Sequence, residues 1–313
     1  MSRRIHKIDI MSKSSCEVLA QFFSSYSKIE DFSSAYIANC VFNSFLSYTA
    51  IMLNIVTIHA IRKTSSLPRT LKTLLLSLAV SDVGVGLLIQ PFYISLLVKG
   101  IQQSNPGCIT YKAFNIILYL FSSASFLGVV AISVDRFLAI HFHLRYQELV
   151  IHKRVVVVVI SIWLSSAFLS LMALWVPLDK LSLFISIGTG ICLLVTTVVY
   201  IKIYFAVRRH KNQIHALQVQ NPNFASLTKS ALSTFWVYLV FLVCYLPMLI
   251  CSAVIAIYGP NITLKITLLF SCTLMFLNSS FNPVIYCWKM RHIRQAVMNI
   301  LRNMSWHKKC LSR

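Results

Sequence analysis

The sequence predicts an all-α membrane protein: a bundle of seven transmembrane helices followed by a short amphipathic cytoplasmic helix. The first observation is composition, since 57% of the 313 residues are hydrophobic and only 12% are charged, about half the charged fraction of an average soluble domain. The second is segment length, because seven apolar segments can each cross ~30 Å of hydrocarbon as a helix. Their predicted limits are 36–61, 71–98, 108–140, 155–176, 181–207, 230–258 and 264–288.

These segments divide the chain into three parts. Residues 1–35 are predicted to form an extracellular tail, 36–288 the seven-span domain, and 289–313 an amphipathic helix and cytoplasmic tail. The N-terminal tail lacks the continuous apolar core of a cleaved signal peptide. Its first residues are basic, which opposes translocation, so Met11 is an alternative start to Met1.

The distribution of basic residues predicts the orientation. One set of loops, together with the C-terminal tail, carries most of the 29 lysines and arginines. The loops on the other side hold only Lys99, Lys112, Lys180 and Lys265. The positive-inside rule then places the N-terminus outside and the C-terminus in the cytoplasm. Because the basic residues lie in short clusters between apolar segments, the net charge of +21 indicates a bilayer and not a nucleic acid as the partner.

Polar residues at membrane depth predict a cation site. Asp82 is the only carboxylate well inside a span, and ionisable groups at that depth are costly and usually functional. Hydroxyl and amide side chains lie at compatible depth in other spans: Asn54, Ser125, Asn278 and Asn282. Such oxygens suit a small hard cation such as Na⁺. The alternative is a polar group that only packs helices together, without a ligand.

The segment after the last span predicts an amphipathic helix on the inner leaflet. In "KMRHIRQAVMNILR" the apolar side chains fall on one helical face and the arginines lie off it. Cys310 follows Lys308 and Lys309, which makes it a candidate for palmitoylation. A free cytosolic thiol is the alternative.

One short motif in each span, in the same order, resembles the rhodopsin-like (class A) G-protein-coupled receptors. The motifs are Asn54 in "LNIVTIHAI", "LSLAVSD", "SVDRFLAI", Trp163, Tyr200 in "VVYIKIY", "FLVCYLP" and "NPVIY". The cytoplasmic ends resemble adenosine receptors. The short second external loop without a cysteine is similar to melanocortin, cannabinoid and lysophospholipid receptors.

The resemblance implies a role for each matching residue. Arg136 takes the place of the arginine that contacts the heterotrimeric G protein, and Asp135 restrains it in the resting receptor. The tyrosines that support this arginine in active receptors are Tyr200 and Tyr286. The other implied switch residues are Phe241, Pro247, Asn282 and Pro283. The implied sodium pocket consists of Asp82, Ser125, Asn278 and Asn282, with Asn54 beside it.

Two departures from the family pattern concern the external half. Tyr245 occupies the usual tryptophan position of the sixth span. The family's usual disulfide to the second external loop cannot form, because that loop has no cysteine. In the oxidising exterior Cys108 can instead pair with Cys16 or Cys40, with free thiols as the alternative.

The ligand-facing positions implied by the resemblance are mostly apolar. Leu118 stands where amine receptors carry a carboxylate, and Phe276 where opsins carry the retinal lysine, so neither a monoamine nor retinal is expected. The expected pocket consists of Leu118, Ser122, Tyr245, Met248, Ser252, Met275 and Phe276. It favours a small apolar, lipid-like or odorant-like ligand. Asn261 in the third external loop starts a glycosylation sequon.

The sequence therefore predicts a plasma-membrane receptor that transmits binding of an external ligand to a G protein. It predicts no enzyme, because paired catalytic carboxylates are absent at membrane depth. A receptor-like protein that binds ligand or dimerises without signalling is the main alternative. A seven-span transporter would need a relay of ionisable groups, whereas only Asp82 lies well inside a span.

Overall fold

The computed structural model describes residues 30–65, 67–102, 104, 106–142, 145–217, 222–259 and 261–311. Helices account for nearly all of this part of the chain. In hydrocarbon every backbone N–H and C=O needs an internal partner, which a helix provides. Seven helical segments of the described residues are long and apolar enough to span a membrane, which confirms the predicted fold class.

Ten α-helices follow one another along the described residues. They are α1 Glu30–Lys63, α2 Arg69–Gly84, α3 Gln90–Ile101, α4 Cys108–His141, α5 Tyr146–Leu149, α6 His152–Leu171, α7 Leu178–Leu217, α8 Pro222–Tyr258, α9 Ile262–Lys289 and α10 Arg291–Leu311. The first span is α1, the second is α2 with α3, and the third to seventh are α4, α6, α7, α8 and α9. Helix α1 begins inside the predicted N-terminal tail.

Each predicted span lies within helical residues except at the end of the fourth, and the first, fifth and sixth helices extend six to ten residues beyond a predicted limit. The fourth segment was expected to reach residue 176, but α6 stops at Leu171 and a 3₁₀ turn covers Met172–Leu174. Pro177 disfavours helical backbone at Val176, the predicted last residue of this span.

The second span is interrupted by a π-helical turn, Val85–Ile89, between α2 and α3. Pro91 lies two residues beyond the turn and has no N–H to donate to a carbonyl one turn earlier. The π turn accommodates this missing hydrogen bond. Pro247 and Pro283, in contrast, lie inside the unbroken helices α8 and α9.

Close packing of the helices brings functional side chains of several spans together. Membrane helices associate through tight packing at small residues, because lipid is as apolar as their side chains. Gly84 is such a residue, since a Cβ added there would lie 2.2 Å from the Phe121 ring of the third span. The packed interior includes Leu75, Leu78, Phe241 and Tyr286, all fully buried.

Helix α10 forms where the sequence predicts an amphipathic helix. Met290 and Ile293 are buried, and Val297 and Ile300 pack against the same apolar core. The arginines of this helix whose side chains are described are exposed: Arg291, Arg294 and Arg302. The side chains of Leu301 and Cys310 lie outside the described residues, as do residues 1–29 with Met11 and Cys16.

Candidate functional site

A buried carboxylate joins three spans in the middle of the bundle. Asp82 has no exposed surface. Asn282 Nδ2 of the seventh span donates to Asp82 Oδ2 over 2.8 Å, and Ser125 Oγ of the third donates to Oδ1 over 3.2 Å. These bonds bring together three of the five residues of the predicted cation site.

The other two residues of that predicted site do not bond Asp82. Asn54 Nδ2 donates to the backbone carbonyls of Ala50 and Ser279, over 2.9 and 2.8 Å. It therefore fastens the first span to the seventh. Asn278 is buried, and neither polar atom of its side chain has a hydrogen-bond partner among the described residues.

The oxygens near Asp82 fit a small hard cation. A carboxylate can accept about four hydrogen bonds, and donors on Asn282, Ser125 and Ser279 are bonded to this one. Several buried amide oxygens have no hydrogen-bond partner within the described residues: Asn54 Oδ1, Asn278 Oδ1 and Asn282 Oδ1. Carboxylate and amide oxygens are the donors that hard cations prefer.

A buried ion pair lies at the C-terminal end of the third span. Asp135 and Arg136 are 5% and 2% exposed. Arg136 Nε donates to Asp135 Oδ2 over 3.0 Å, and Nη2 donates to the same oxygen. Removing two charges from water is costly unless they are paired closely. The pair is therefore held closed, with the guanidinium bonded to the adjacent carboxylate.

Tyr146 of α5 is a second partner of this carboxylate. Its Oη donates to Asp135 Oδ1 over 2.8 Å and lies 3.3 Å from Thr70 Oγ1 of the second span. Burial, together with the neighbouring carboxylate, raises the pKa of Tyr146. The phenol therefore keeps its proton and donates at neutral pH. Sequence analysis missed this contact because it depends on how the second cytoplasmic loop folds back.

Tyr200 connects the third, fifth and sixth spans. Its Oη accepts from Ser133 Oγ and donates to the Thr234 carbonyl, both over 3.0 Å. Its ring stacks on Tyr238 with centroids 4.8 Å apart. The second tyrosine that the resemblance singles out, Tyr286, is fully buried, and its Oη has no hydrogen-bond partner among the described residues.

Three aromatic rings form a cluster beneath the expected ligand pocket. Phe241 stacks on Tyr245 with centroids 4.0 Å apart, and Phe126 of the third span lies 5.3 Å from Phe241. Tyr245, the substitute for the usual tryptophan, thus packs directly on the expected switch residue Phe241 and lies two residues before Pro247. Phe126 was not expected, although its position next to Ser125 could have indicated it.

The residues of the expected ligand pocket are all buried or half-buried. Tyr245, Met275 and Phe276 are buried, whereas Leu118, Ser122, Met248 and Ser252 are half-buried. Sulfur atoms join the sixth and seventh spans here, because Cys272 Sγ lies 3.9 Å from Met248 Sδ. Tyr93, which sequence analysis missed, lies 5.3 Å from Phe276 and 6.1 Å from Phe114 between ring centroids.

The bonding of Cys108 and Cys40 rules out one of the two predicted disulfides. Cys108 is disulfide-bonded, and Cys40 is a free thiol. The Cys40 alternative is therefore wrong, because this residue lies inside the first span whereas Cys108 is the first residue of α4. Cys16 lies outside the described residues.

Asn261, the sequon residue, is exposed and accepts from the Leu264 N–H as the N-cap of α9.

A cation–π contact joins the sixth and seventh spans at the cytoplasmic side. Lys289 Nζ lies 3.5 Å from the ring centroid of Trp288 and 4.8 Å from that of Trp236. Such contacts contribute about 0.5–1 kcal/mol at exposed sites. In the sequence Lys289 is only the first residue of the predicted segment 289–313, and nothing there indicates this contact.

Known proteins match the chain over most of its length. A family model described as "7 transmembrane receptor (rhodopsin family)" matches residues 53–180. The adenosine receptor A3 of Canis lupus familiaris is 25% identical over 81% of the chain and 87% of its own length. The adenosine receptor A2b of Gallus gallus is 24% identical over 83% of the chain and 87% of its own length. The octopamine receptor beta-1R of Drosophila melanogaster is 22% identical over 85% of the chain and 61% of its own length.

The family match covers the second, third and fourth predicted spans with the end of the first, and it includes Asp82, Asp135 and Arg136. The relatives extend the similarity over the remaining spans. Seven membrane-spanning helices, a buried carboxylate in the second and a buried Asp–Arg pair at the end of the third agree with that match. The chain belongs to the rhodopsin-like (class A) G-protein-coupled receptors and is a receptor for an extracellular ligand, not an enzyme.

Proposed function

We propose that this receptor lies in the plasma membrane with its N-terminus outside and binds a small apolar or lipid-like ligand, the odorant-like chemicals included. The ligand shifts the packing of the spans, opens their cytoplasmic end and lets Arg136 engage a heterotrimeric G protein. Apolar side chains with few hydroxyls at the expected pocket support this ligand class.

The closed Asp135–Arg136 pair is the observation that carries the signalling role. It is buried at the cytoplasmic end of the third span, and three spans meet beside it at Tyr200. A guanidinium bonded only within the receptor is available to a partner once those spans separate. Ligand binding would act by favouring the separated arrangement.

Adenosine is the second candidate ligand, because several relatives are named adenosine receptors. Two features of the chain oppose it. The sixth-span amide expected to hold a purine is Ser252, and the second external loop is short. Octopamine, named for another relative, is a monoamine, and Leu118 offers its ammonium group no charge partner.

A ligand screen tests the proposal. The full chain is expressed with a promiscuous G protein and exposed to lipids, nucleosides including adenosine, peptides and odorants. The expected result is a response to apolar or lipid-like compounds that disappears in the Arg136→Ala variant. A response to adenosine alone would overturn the ligand class. Ligand binding with no response to any G protein would support the non-signalling alternative.

Tyr146→Phe is expected to raise ligand-independent signalling by about twofold to tenfold. The change removes one hydrogen bond to a charged acceptor, and such bonds contribute about 1.5–3 kcal/mol. Only the fraction of this free energy that is lost when the Asp135–Arg136 pair opens shifts the equilibrium between the closed and open receptor. The measurement is basal nucleotide exchange at equal receptor density. Tyr204→Phe, at an exposed tyrosine of the fifth span, is the matched control. Equal basal rates in both variants and the wild type would remove Tyr146 from the closed pair.

Asp82, Ser125 and Asn282, with the amides of Asn54 and Asn278, are our proposed Na⁺ site. A bound Na⁺ would supply a positive charge that offsets the buried carboxylate and favours the closed arrangement. Three further proposals concern covalent changes: a Cys16–Cys108 disulfide, glycosylation of Asn261, and palmitoylation of Cys310.

A further inference from the structure

Gln90 is a buried amide without a partner in the external half of the second span. It is 0% exposed, and neither Oε1 nor Nε2 has a hydrogen-bond partner among the described residues. It begins α3 directly after the π turn Val85–Ile89, and such turns frequently occur at functional sites. An unpaired amide in apolar surroundings is unfavourable, so this side chain is open to a hydrogen-bonding partner.

Asn43 of the first span lies at the same level. Ser47 Oγ donates to the Gly86 carbonyl over 2.7 Å, which sets the register of the two antiparallel spans. One turn towards the external side leads from Ser47 to Asn43 and from Gly86 to Gln90. Asn43 is 0% exposed, and its Oδ1 also has no partner within the described residues.

The seventh span provides the third wall of this site. Asn43 Nδ2 donates to Thr273 Oγ1 over 2.8 Å, and Thr273 donates to Asn39 Oδ1 over 2.5 Å. These bonds occupy Nδ2 of Asn43 and leave its Oδ1 free to accept. Tyr93 Oη, one turn beyond Gln90, donates to the Leu269 carbonyl over 3.3 Å. The second and seventh spans are therefore fixed around the unpaired atoms.

The unpaired atoms specify the chemistry of the occupant. Gln90 offers one donor and one acceptor, and Asn43 offers an acceptor. A carboxamide presents the complementary N–H and C=O groups, whereas an ester has no N–H. A carboxylate would lack a cation here, because Lys265, the basic residue on this part of the seventh span, lies eight residues before Thr273.

We propose that Asn43, Gln90 and Thr273 form an amide site that binds the neutral carboxamide group of a lipid-like ligand. This proposal takes only one point from the proposed function, namely that the ligand is lipid-like. The Tyr93–Phe276 ring contact lies one turn from Gln90 and one turn from Thr273. The amide site is therefore next to the expected apolar pocket, which would hold the hydrocarbon part of the same molecule.

The test measures the thermal unfolding midpoint of the purified full chain in nanodiscs with three probes: octanamide, methyl octanoate and sodium octanoate. Octanamide is expected to raise the midpoint of the wild type in a saturable manner, because a ligand of the folded state stabilises it. In Gln90→Met its apparent affinity should be at least about tenfold weaker, as expected for a lost buried hydrogen bond. Gln102→Met, at an exposed glutamine directly after the end of α3, should bind octanamide like the wild type.

Without probe, the unfolding midpoint of Gln90→Met should equal or exceed that of the wild type, because the variant removes an unpaired buried amide. A lower midpoint would indicate that Gln90 supports the fold through water or Asn43, and would overturn the proposal. No stabilisation by octanamide, or equal affinity in both proteins, would overturn it as well. Selective stabilisation by octanoate would assign the polar group to Lys265 instead.

These outcomes are independent of G-protein coupling. The same binding curves should be obtained with Arg136→Ala. A receptor that binds octanamide through Gln90 without signalling would leave the amide site intact and contradict the proposed function. A receptor that signals to lipids without dependence on Gln90 would contradict the amide site alone.

Discussion

Arg136→Ala is expected to reduce ligand-stimulated nucleotide exchange to the level of cells without the receptor. In the closed state the guanidinium is buried and bonded to Asp135. In the open state it would donate to the G protein, and two charge-assisted bonds of about 1.5 kcal/mol each correspond to roughly 100-fold in affinity. Alanine cannot replace these donors. Ligand affinity should change by less than about threefold, because substitutions remote from a site rarely exceed 0.5 kcal/mol.

The control for this variant is Arg145→Ala, which removes an exposed arginine near the same end of the third span. It should retain most of the exchange activity. Arg136→Lys tests the geometry of the group, because lysine keeps the charge but loses the planar fork of donors. An intermediate activity is expected. Full signalling by Arg136→Ala at normal surface expression would refute the role of the closed pair.

The spans could be predicted from sequence because the bilayer imposes a simple requirement. About twenty apolar residues are needed to cross it, and backbone bonds must be made within the segment. This requirement identified all seven spans of the described residues. The π turn Val85–Ile89 could not be predicted, because its existence depends on how the second span packs against its neighbours as well as on Pro91.

The residues of the candidate sites also differ in whether the sequence predicts their role. Asp135 and Arg136 are adjacent in the chain, so their pairing needs no long-range information. The Asp82 contacts with Ser125 and Asn282 agree with the expectation from depth and family resemblance. Two residues carry no such signal: Tyr146, whose role depends on its bond to Asp135, and Gln90, whose buried amide has no partner among the described residues. Asn278, which depth also singled out, makes no hydrogen bond to Asp82 in the structure, and its place in the cation site stays a prediction.

Asp82→Asn is expected to abolish a specific stabilisation of the receptor by Na⁺. In the wild type, NaCl should raise the thermal unfolding midpoint relative to KCl at equal ionic strength. A tenfold excess of Na⁺ over its dissociation constant stabilises by about 1.4 kcal/mol, which corresponds to roughly 2 °C in a chain of this size. Asparagine preserves the shape of the side chain and one acceptor oxygen for Ser125. It removes the charge that a cation requires.

Asp135→Asn is the matched control, since it makes the same chemical change at the cytoplasmic end of the third span. It should retain the difference between NaCl and KCl and raise basal signalling, because Arg136 loses its charged partner. The two variants therefore separate the loss of a negative charge from the loss of this particular charge. If Asp82→Asn keeps the full Na⁺ effect, Asp82 is a packing group bonded to Ser125 and Asn282. If both variants lose it, the Na⁺ effect follows the overall closed state and not a cation held at Asp82.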